Sequence, residues 1–153
     1  FSTLHTNDAP STITRMKDMG IPTFMISATV EAILAQRLVR RICNNCREEV
    51  EPSDEILAQL GFTSEQVAEK SFYKGKGCDH CNNSGYRGRV GLFELMILND
   101  HLREMIMQNA STDEMREKAR EYGMGTLRDA GLNTLWEGIT TAEEVIRETI
   151  VDG

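Results

Sequence analysis

Four cysteines stand in two CxxC pairs, Cys43/Cys46 and Cys78/Cys81, and none is left over. No other feature of these 153 residues constrains the fold as strongly. A two-residue gap lets both sulfurs of a pair face one point while backbone N–H groups of the turn donate to them. "CNNC" and "CDHC" suit such turns, because Asn and Asp accept unusual backbone angles. Two matched pairs predict a tetrahedral zinc site. Its role is structural, because four thiolates close the coordination shell and leave no position for water. The 31 residues between the pairs exceed a compact ribbon, so a small insertion is expected there. Two disulfides or a redox dithiol are the alternatives, although a redox CxxC usually stands alone at a helix start. His80, inside the second pair, is expected to be a solvent-facing knuckle residue rather than a competing ligand.

Around this centre the chain divides into three segments. Residues 1–42 read as the end of a strand, "FSTL", followed by two helices. Asp8 is placed to cap the first helix, Pro10 fits its first turn and Gly20 stops it. Pro22 starts the second, in which Ile26, Val30, Ile33, Leu34 and Leu38 recur at helical spacing. Residues 43–98 hold both cysteine pairs, two short helical patterns (Thr63 with Gln66 as a capping box for the second) and short strands in "FYKGKG" and "RVGLFELMIL". Residues 99–153 are helical throughout, with capping boxes at Ser111/Glu114 and Thr141/Glu144.

Composition narrows the function. Net charge is −7, which argues against a general nucleic-acid binder. The imbalance is uneven: residues 1–41 carry five basic and three acidic side chains, residues 101–153 six and eleven. The basic run Arg37, Arg40 and Arg41 reads as a solvated helix end. No apolar run approaches the roughly 18 residues that span a membrane. Eight methionines sit mostly at core spacings and read as packing filler.

His5 in "STLHTND" falls between a strand and a helix, where ligands sit in open α/β sheets. A neutral imidazole there could donate to a phosphate oxygen or order a water. An incidental histidine in a helix-capping loop is the plainer reading. No GxxxxGK[ST] phosphate loop occurs in the chain, so phosphate chemistry at His5 would need a site completed upstream of residue 1.

Taken together, "STLHTNDAPSTITRMKDMG", "LAQRLVRRICNNC", "GCDHCNNSGYRGRVGLFELM" and "MGTLRDAGLNTLWEGITTAEEVIRET" resemble the C-terminal part of the secretion ATPases, the hexameric motors of type II secretion and type IV pilus assembly. The resemblance covers essentially the whole chain in order. It implies an α/β fragment: the end of a RecA-like P-loop ATPase domain over 1–42, a zinc-binding insert over 43–98 and a C-terminal helical bundle over 99–153. The phosphate loop and acidic boxes would precede the histidine, so the chain is expected to be a piece of a longer enzyme and inactive by itself. His5 would match the histidine box that contacts the γ-phosphate region and serve as the catalytic candidate. Cys43, Cys46, Cys78 and Cys81 would hold structural zinc. Gln36 and Arg37 match a "QRL" stretch near the subunit interface, with no chemistry assigned. The whole enzyme would bind ATP and Mg(2+), assemble as a homo-hexamer in the cytoplasm and drive an inner-membrane platform protein. Retraction motors lack the tetracysteine insert, and "GLFELM" with "VIRET" leans toward pilus assembly. The acidic face around Glu137, Glu143 and Glu144 would meet basic cytoplasmic loops of that membrane partner. A first strand without its sheet neighbours would leave an apolar face exposed. The alternative is a zinc-knuckle binding module, in which Tyr86, Arg87 and Arg89 form a base-stacking and phosphate patch. Arg87 and Arg89 could instead pair with Asp79 or Glu94.

Overall fold

The computed structural model describes residues 1–149. The order of elements is α1 (Ala9–Asp18), α2 (Thr23–Thr29), β1 (Ala32–Ile42), β2 (Arg47–Val50), α3 (Asp54–Leu60), β3 (Phe72–Gly75), β4 (Tyr86–Ile97), α4 (Asp100–Met107), α5 (Thr112–Glu121), α6 (Leu127–Trp136) and α7 (Ala142–Glu148). This is a mixed α/β arrangement with two small sheets, followed by helices. The chain forms two compact units. One comprises Phe1–Gln36 and Phe93–Leu127; the other comprises Arg37–Leu92 and the described residues from Arg128 onward.

In the first unit the caps fall where the sequence places them. Asp8 accepts from Ser11 N, Pro10 lies in the first turn of α1, and Gly20 follows the helix at φ +86°. Ser111 and Glu114 make a reciprocal capping box at the start of α5. Ile13, Ile26, Met96, Leu102, Ile106 and Met115 are buried here, where α1 packs on α5 and α2 on α4.

Two expectations fail in this stretch. "FSTL" forms no strand: residues 1–6 lack regular structure, and no described strand pairs with them. The predicted second helix also stops early. α2 ends at Thr29, Val30 turns extended (ψ 121°), and the "AQRL" stretch is β1. Apolar residues lie on both faces of that strand, and in a short run such a pattern mimics helical spacing. Ala35 and Val39 point inward, while Leu34 and Leu38 are exposed. β1 pairs with β4. Leu98 N donates to Glu31 O beyond one end, and Cys43 N to Gly85 O beyond the other, so the strands run antiparallel. Leu34, Phe93, Leu95 and Ile97 leave an apolar face of the first unit exposed.

The second unit is built on a different core. β2 pairs antiparallel with β3, from Arg47↔Gly75 to Val50↔Phe72. Leu57, Leu60, Val67, Phe72, Leu135, Ala142 and Val145 pack together. Trp136 meets Phe62 and Phe72 edge-on, with ring centroids 5.8 and 5.5 Å away. Gln66 Oε1 accepts from Thr63 N as a capping box requires, but residues 64–69 make turns and no helix. Their backbone bonds run between residues three apart, and Val67 alone among them is buried. Without an apolar stripe nothing favours continuing a helix.

Candidate metal centre

The turn after β1 carries Cys43 and Cys46, and the loop from β3 to β4 carries Cys78 and Cys81. Backbone geometry closes that loop. Asn82 and Asn83 adopt left-handed angles (φ 52° and 59°), and Gly77 and Gly85 have φ +99° and +80°. Gly75 and Gly85 approach so closely that a Cβ at Gly75 would lie 2.0 Å from Gly85 O.

All four Sγ atoms lie within 4.8 Å of one another. Cys43–Cys78, Cys46–Cys81 and Cys78–Cys81 are each 3.8 Å apart. These separations exceed the roughly 2.05 Å of a disulfide, and the cysteines are free. They match the roughly 3.8 Å edge of a tetrahedron with metal–sulfur bonds of about 2.3 Å. The cluster is therefore capable of holding a metal ion, and its donor set suits zinc.

Donors surround the sulfurs. Gly77 N donates to Cys46 Sγ, Cys78 N and Gly85 N donate to Cys81 Sγ, and Asn45 Nδ2 donates to Cys78 Sγ, each at 3.3 Å. The bond from Asn45 holds the Cys78 thiol below its ordinary value, against the pull of burial. Burial pushes Cys81 up, but the N–H groups of Cys78 and Gly85 overcome it and bring the thiol down to about 6. Cys46 goes the other way: burial, with the neighbouring sulfurs, pushes it up to about 12. A cation binds the thiolate form, so metal uptake by these four cysteines would release protons. His80 is exposed and lies outside the cluster, as expected.

His5 belongs to the other unit, exposed in the irregular segment that leads into α1. Gln36 and Arg37 lie on β1, not on a helix. Tyr86 is already engaged: its hydroxyl lies 2.8 Å from Thr141 Oγ1, and the Arg40 guanidinium sits 4.0 Å over its ring. A base-stacking role for Tyr86 finds no free ring face on that side. Glu144 is 2 % exposed and bonded to Arg40, so only Glu137 and Glu143 of the expected acidic face reach solvent.

Glu94, and the bond between Asp8 and Arg116, carry structure that the sequence did not announce. Glu94 Oε1 accepts from Ala9 N at 2.8 Å and Oε2 from Leu127 N at 2.9 Å, tying the first turns of α1 and α6 to β4. Glu94 is therefore not a partner for Arg87 or Arg89. Burial raises its pKa, and the two N–H donors only partly offset that. Asp8 caps α1 and also accepts from Arg116 Nε and Nη2, at 3.0 and 2.6 Å. Burial would raise its carboxyl, but the bonds from Ser11 and Arg116 hold it low. The signal for Glu94 was present in "LFELM": Leu92, Glu94 and Met96 alternate onto the buried face of β4.

Fold and site define an α/β module with a tetracysteine metal-binding cluster. The profile of the family described as "Type II/IV secretion system protein" matches residues 1–147, and the chain belongs to that family. It is 46 % identical over 149 residues to the type IV pilus assembly ATPase PilB of Thermus thermophilus, covering 97 % of this chain and 17 % of that protein. It is 43 % identical over 148 residues both to the type IV pilus assembly ATPase PilB and to the type II secretion system protein E of Pseudomonas aeruginosa. Those two alignments cover 97 % of this chain and 26 % and 29 % of the relatives. The chain thus spans less than a third of the length of these relatives.

Proposed function

We propose that this chain is the C-terminal region of a hexameric motor ATPase that powers type IV pilus assembly or type II secretion from the cytoplasmic side of the inner membrane. The observation that carries this reading is the end-to-end similarity to relatives named as pilus assembly ATPases, with the four cysteines gathered at one point. In this reading residues 1–42 complete a RecA-like ATPase domain, 43–98 form the zinc subdomain and 99–153 the helical subdomain. ATP and Mg(2+) bind to the part of the enzyme that carries the phosphate loop. Cys43, Cys46, Cys78 and Cys81 hold zinc, which cross-links two loops and takes no part in hydrolysis. His5 meets the γ-phosphate region at the start of α1. Phosphoryl transfer depends mainly on positioning and charge stabilisation, so loss of the imidazole slows turnover more than it weakens nucleotide binding.

The test is His5→Ala in the full-length protein that contains this chain. A fall in ATP hydrolysis of tenfold or more, with nucleotide affinity and subunit assembly kept, is expected. Unchanged turnover would remove His5 from the site. No ATP hydrolysis by the unsubstituted full-length protein, with or without its membrane partner, would remove the motor reading itself.

A further inference from the structure

An open pocket of about 710 Å³ is lined by Arg41, Arg87 and Arg89, with Ile42, Asn44, Asn45, Gly88 and Cys43 of the cysteine cluster. Arg87 and Arg89 flank Gly88 on β4, whose left-handed φ of +84° interrupts the regular strand there, and both line the pocket. Arg41 comes from β1, the strand paired with it. All three are exposed. Like charges set side by side across strands destabilise a ladder, so this arrangement has a cost to the fold.

No carboxylate among the described residues neutralises it. Arg40 and Arg147 pair with Glu144, Arg103 with Glu31, and Arg116 with Asp8 and Asp113. Among the described residues, Arg41, Arg87 and Arg89 have no carboxylate partner. In a chain with 24 acidic and 17 basic residues, three convergent arginines left unpaired need a reason. Gly88 between the two β4 arginines adds no side chain to the pocket. A Cβ there would come within 3.7 Å of Arg41 Cδ.

The geometry points to a binding site for a phosphate-bearing anion with two or more negative charges, held by the guanidinium groups of Arg41, Arg87 and Arg89. Guanidinium forks present paired donors that match phosphate oxygens, and several forks around one concavity favour a multiply charged group over a single carboxylate. Asn44 and Asn45 edge the pocket with polar groups. The phosphate can belong to a soluble phosphoester or to an anionic lipid headgroup, since both present the same oxygens. The inference stands on the second unit alone and is independent of the motor reading.

The test uses the 153-residue chain after zinc reconstitution, near physiological ionic strength. Pyrophosphate is titrated calorimetrically, with acetate as the control, and in parallel the protein is floated with phosphatidylglycerol or phosphatidylcholine vesicles. Arg41→Gln, Arg87→Gln, Arg89→Gln and the triple variant are compared with Arg15→Gln, an exposed arginine of the other unit. Each pocket substitution is expected to weaken pyrophosphate binding about tenfold, and the triple variant to abolish it, with the zinc content of every variant unchanged. Flotation with phosphatidylglycerol alone, lost in the triple variant, assigns the phosphate to a lipid; pyrophosphate binding without flotation assigns it to a soluble ligand. Three results overturn the proposal: no binding of either probe, equal loss in Arg15→Gln, or acetate competing as well as pyrophosphate. A triple variant that lost zinc, from a parent that bound neither probe, would show instead that the arginines only balance the charge of the metal centre.

Discussion

Arg40 and Glu144 are joined at three points: Arg40 N donates to Glu144 Oε2 at 2.8 Å, and Nε and Nη2 donate to Oε1 at 3.0 and 2.7 Å. The two residues are 104 positions apart, one on β1 and one on α7. The Glu144 side chain is 2 % exposed, whereas that of Arg40 is 43 % exposed. Desolvation therefore falls mainly on the carboxylate, and the arginine bonds must offset it.

Glu144→Gln should destabilise the second unit by about 2 kcal/mol, because charge-assisted hydrogen bonds are lost and one arginine donor faces an amide. The pH dependence has a definite sign. Burial raises the Glu144 carboxyl, but the bonds from Arg40 outweigh it and leave the pKa below the ordinary value. A depressed folded-state pKa gives stability that is complete above the unfolded value, about 4.3. That stability is lost as pH falls through the folded value. Urea unfolding at a series of pH values should show the parent losing stability below about pH 4.3 more steeply than Glu144→Gln. Parallel curves would remove Glu144 from this role.

Reconstitution with zinc should give one metal per chain, with four thiols that react only after chelation. Cys81→Ser removes the sulfur that accepts from both Cys78 N and Gly85 N. It should abolish stoichiometric binding, and chelation of the parent should lower its midpoint of thermal unfolding. Full metal content in Cys81→Ser would contradict the tetrahedral site.

Two glycine substitutions separate backbone contact from backbone angle. Gly61 ends α3 at φ +85° and faces open space, so Gly61→Ala should cost about 1 kcal/mol for the left-handed conformation. A Cβ at Gly75 would meet the backbone of Gly85 at 2.0 Å, in the loop that carries two of the cysteines. Gly75→Ala should cost about 3 kcal/mol or more and lower zinc affinity with it. Equal effects of the two substitutions on metal binding would sever the link between this close approach and the site.

How much of this was legible in the sequence depended on the range of the interaction. Asp8, Ser111 and the CxxC turns act over three residues, and each does in the structure what its motif implies. The "AQRL" stretch failed because its conformation is set by β4, some fifty residues away, which supplies its hydrogen bonds. Glu144 failed for a related reason. Thr141 Oγ1 does accept from Glu144 N, but the Glu144 carboxylate reaches Arg40 rather than back to the cap. A capping-box pattern shows that a carboxylate is available, not which donor takes it.

Glu94 gives the sharpest test of a long-range contact, because its pH behaviour should oppose that of Glu144. Each of its oxygens accepts one backbone N–H, from Ala9 and from Leu127, and among the described residues the side chain has no charged partner at hydrogen-bond distance. Burial raises its pKa above the ordinary glutamate value. A group with a raised folded-state pKa contributes stability that is complete below its unfolded value and lost as pH rises through the folded value. The parent should therefore lose stability as pH rises above about 4.3, a slope that Glu94→Gln removes. The amide keeps one carbonyl acceptor but turns an NH₂ donor toward the second N–H, so the variant should be less stable by about 1–3 kcal/mol across the range. Amide exchange locates the damage: Ala9 and Leu127, at the first turns of α1 and α6, should lose protection, while amides of β2 and β3 in the other unit keep theirs. Unchanged protection at both positions would show that Glu94 does not hold these helix starts.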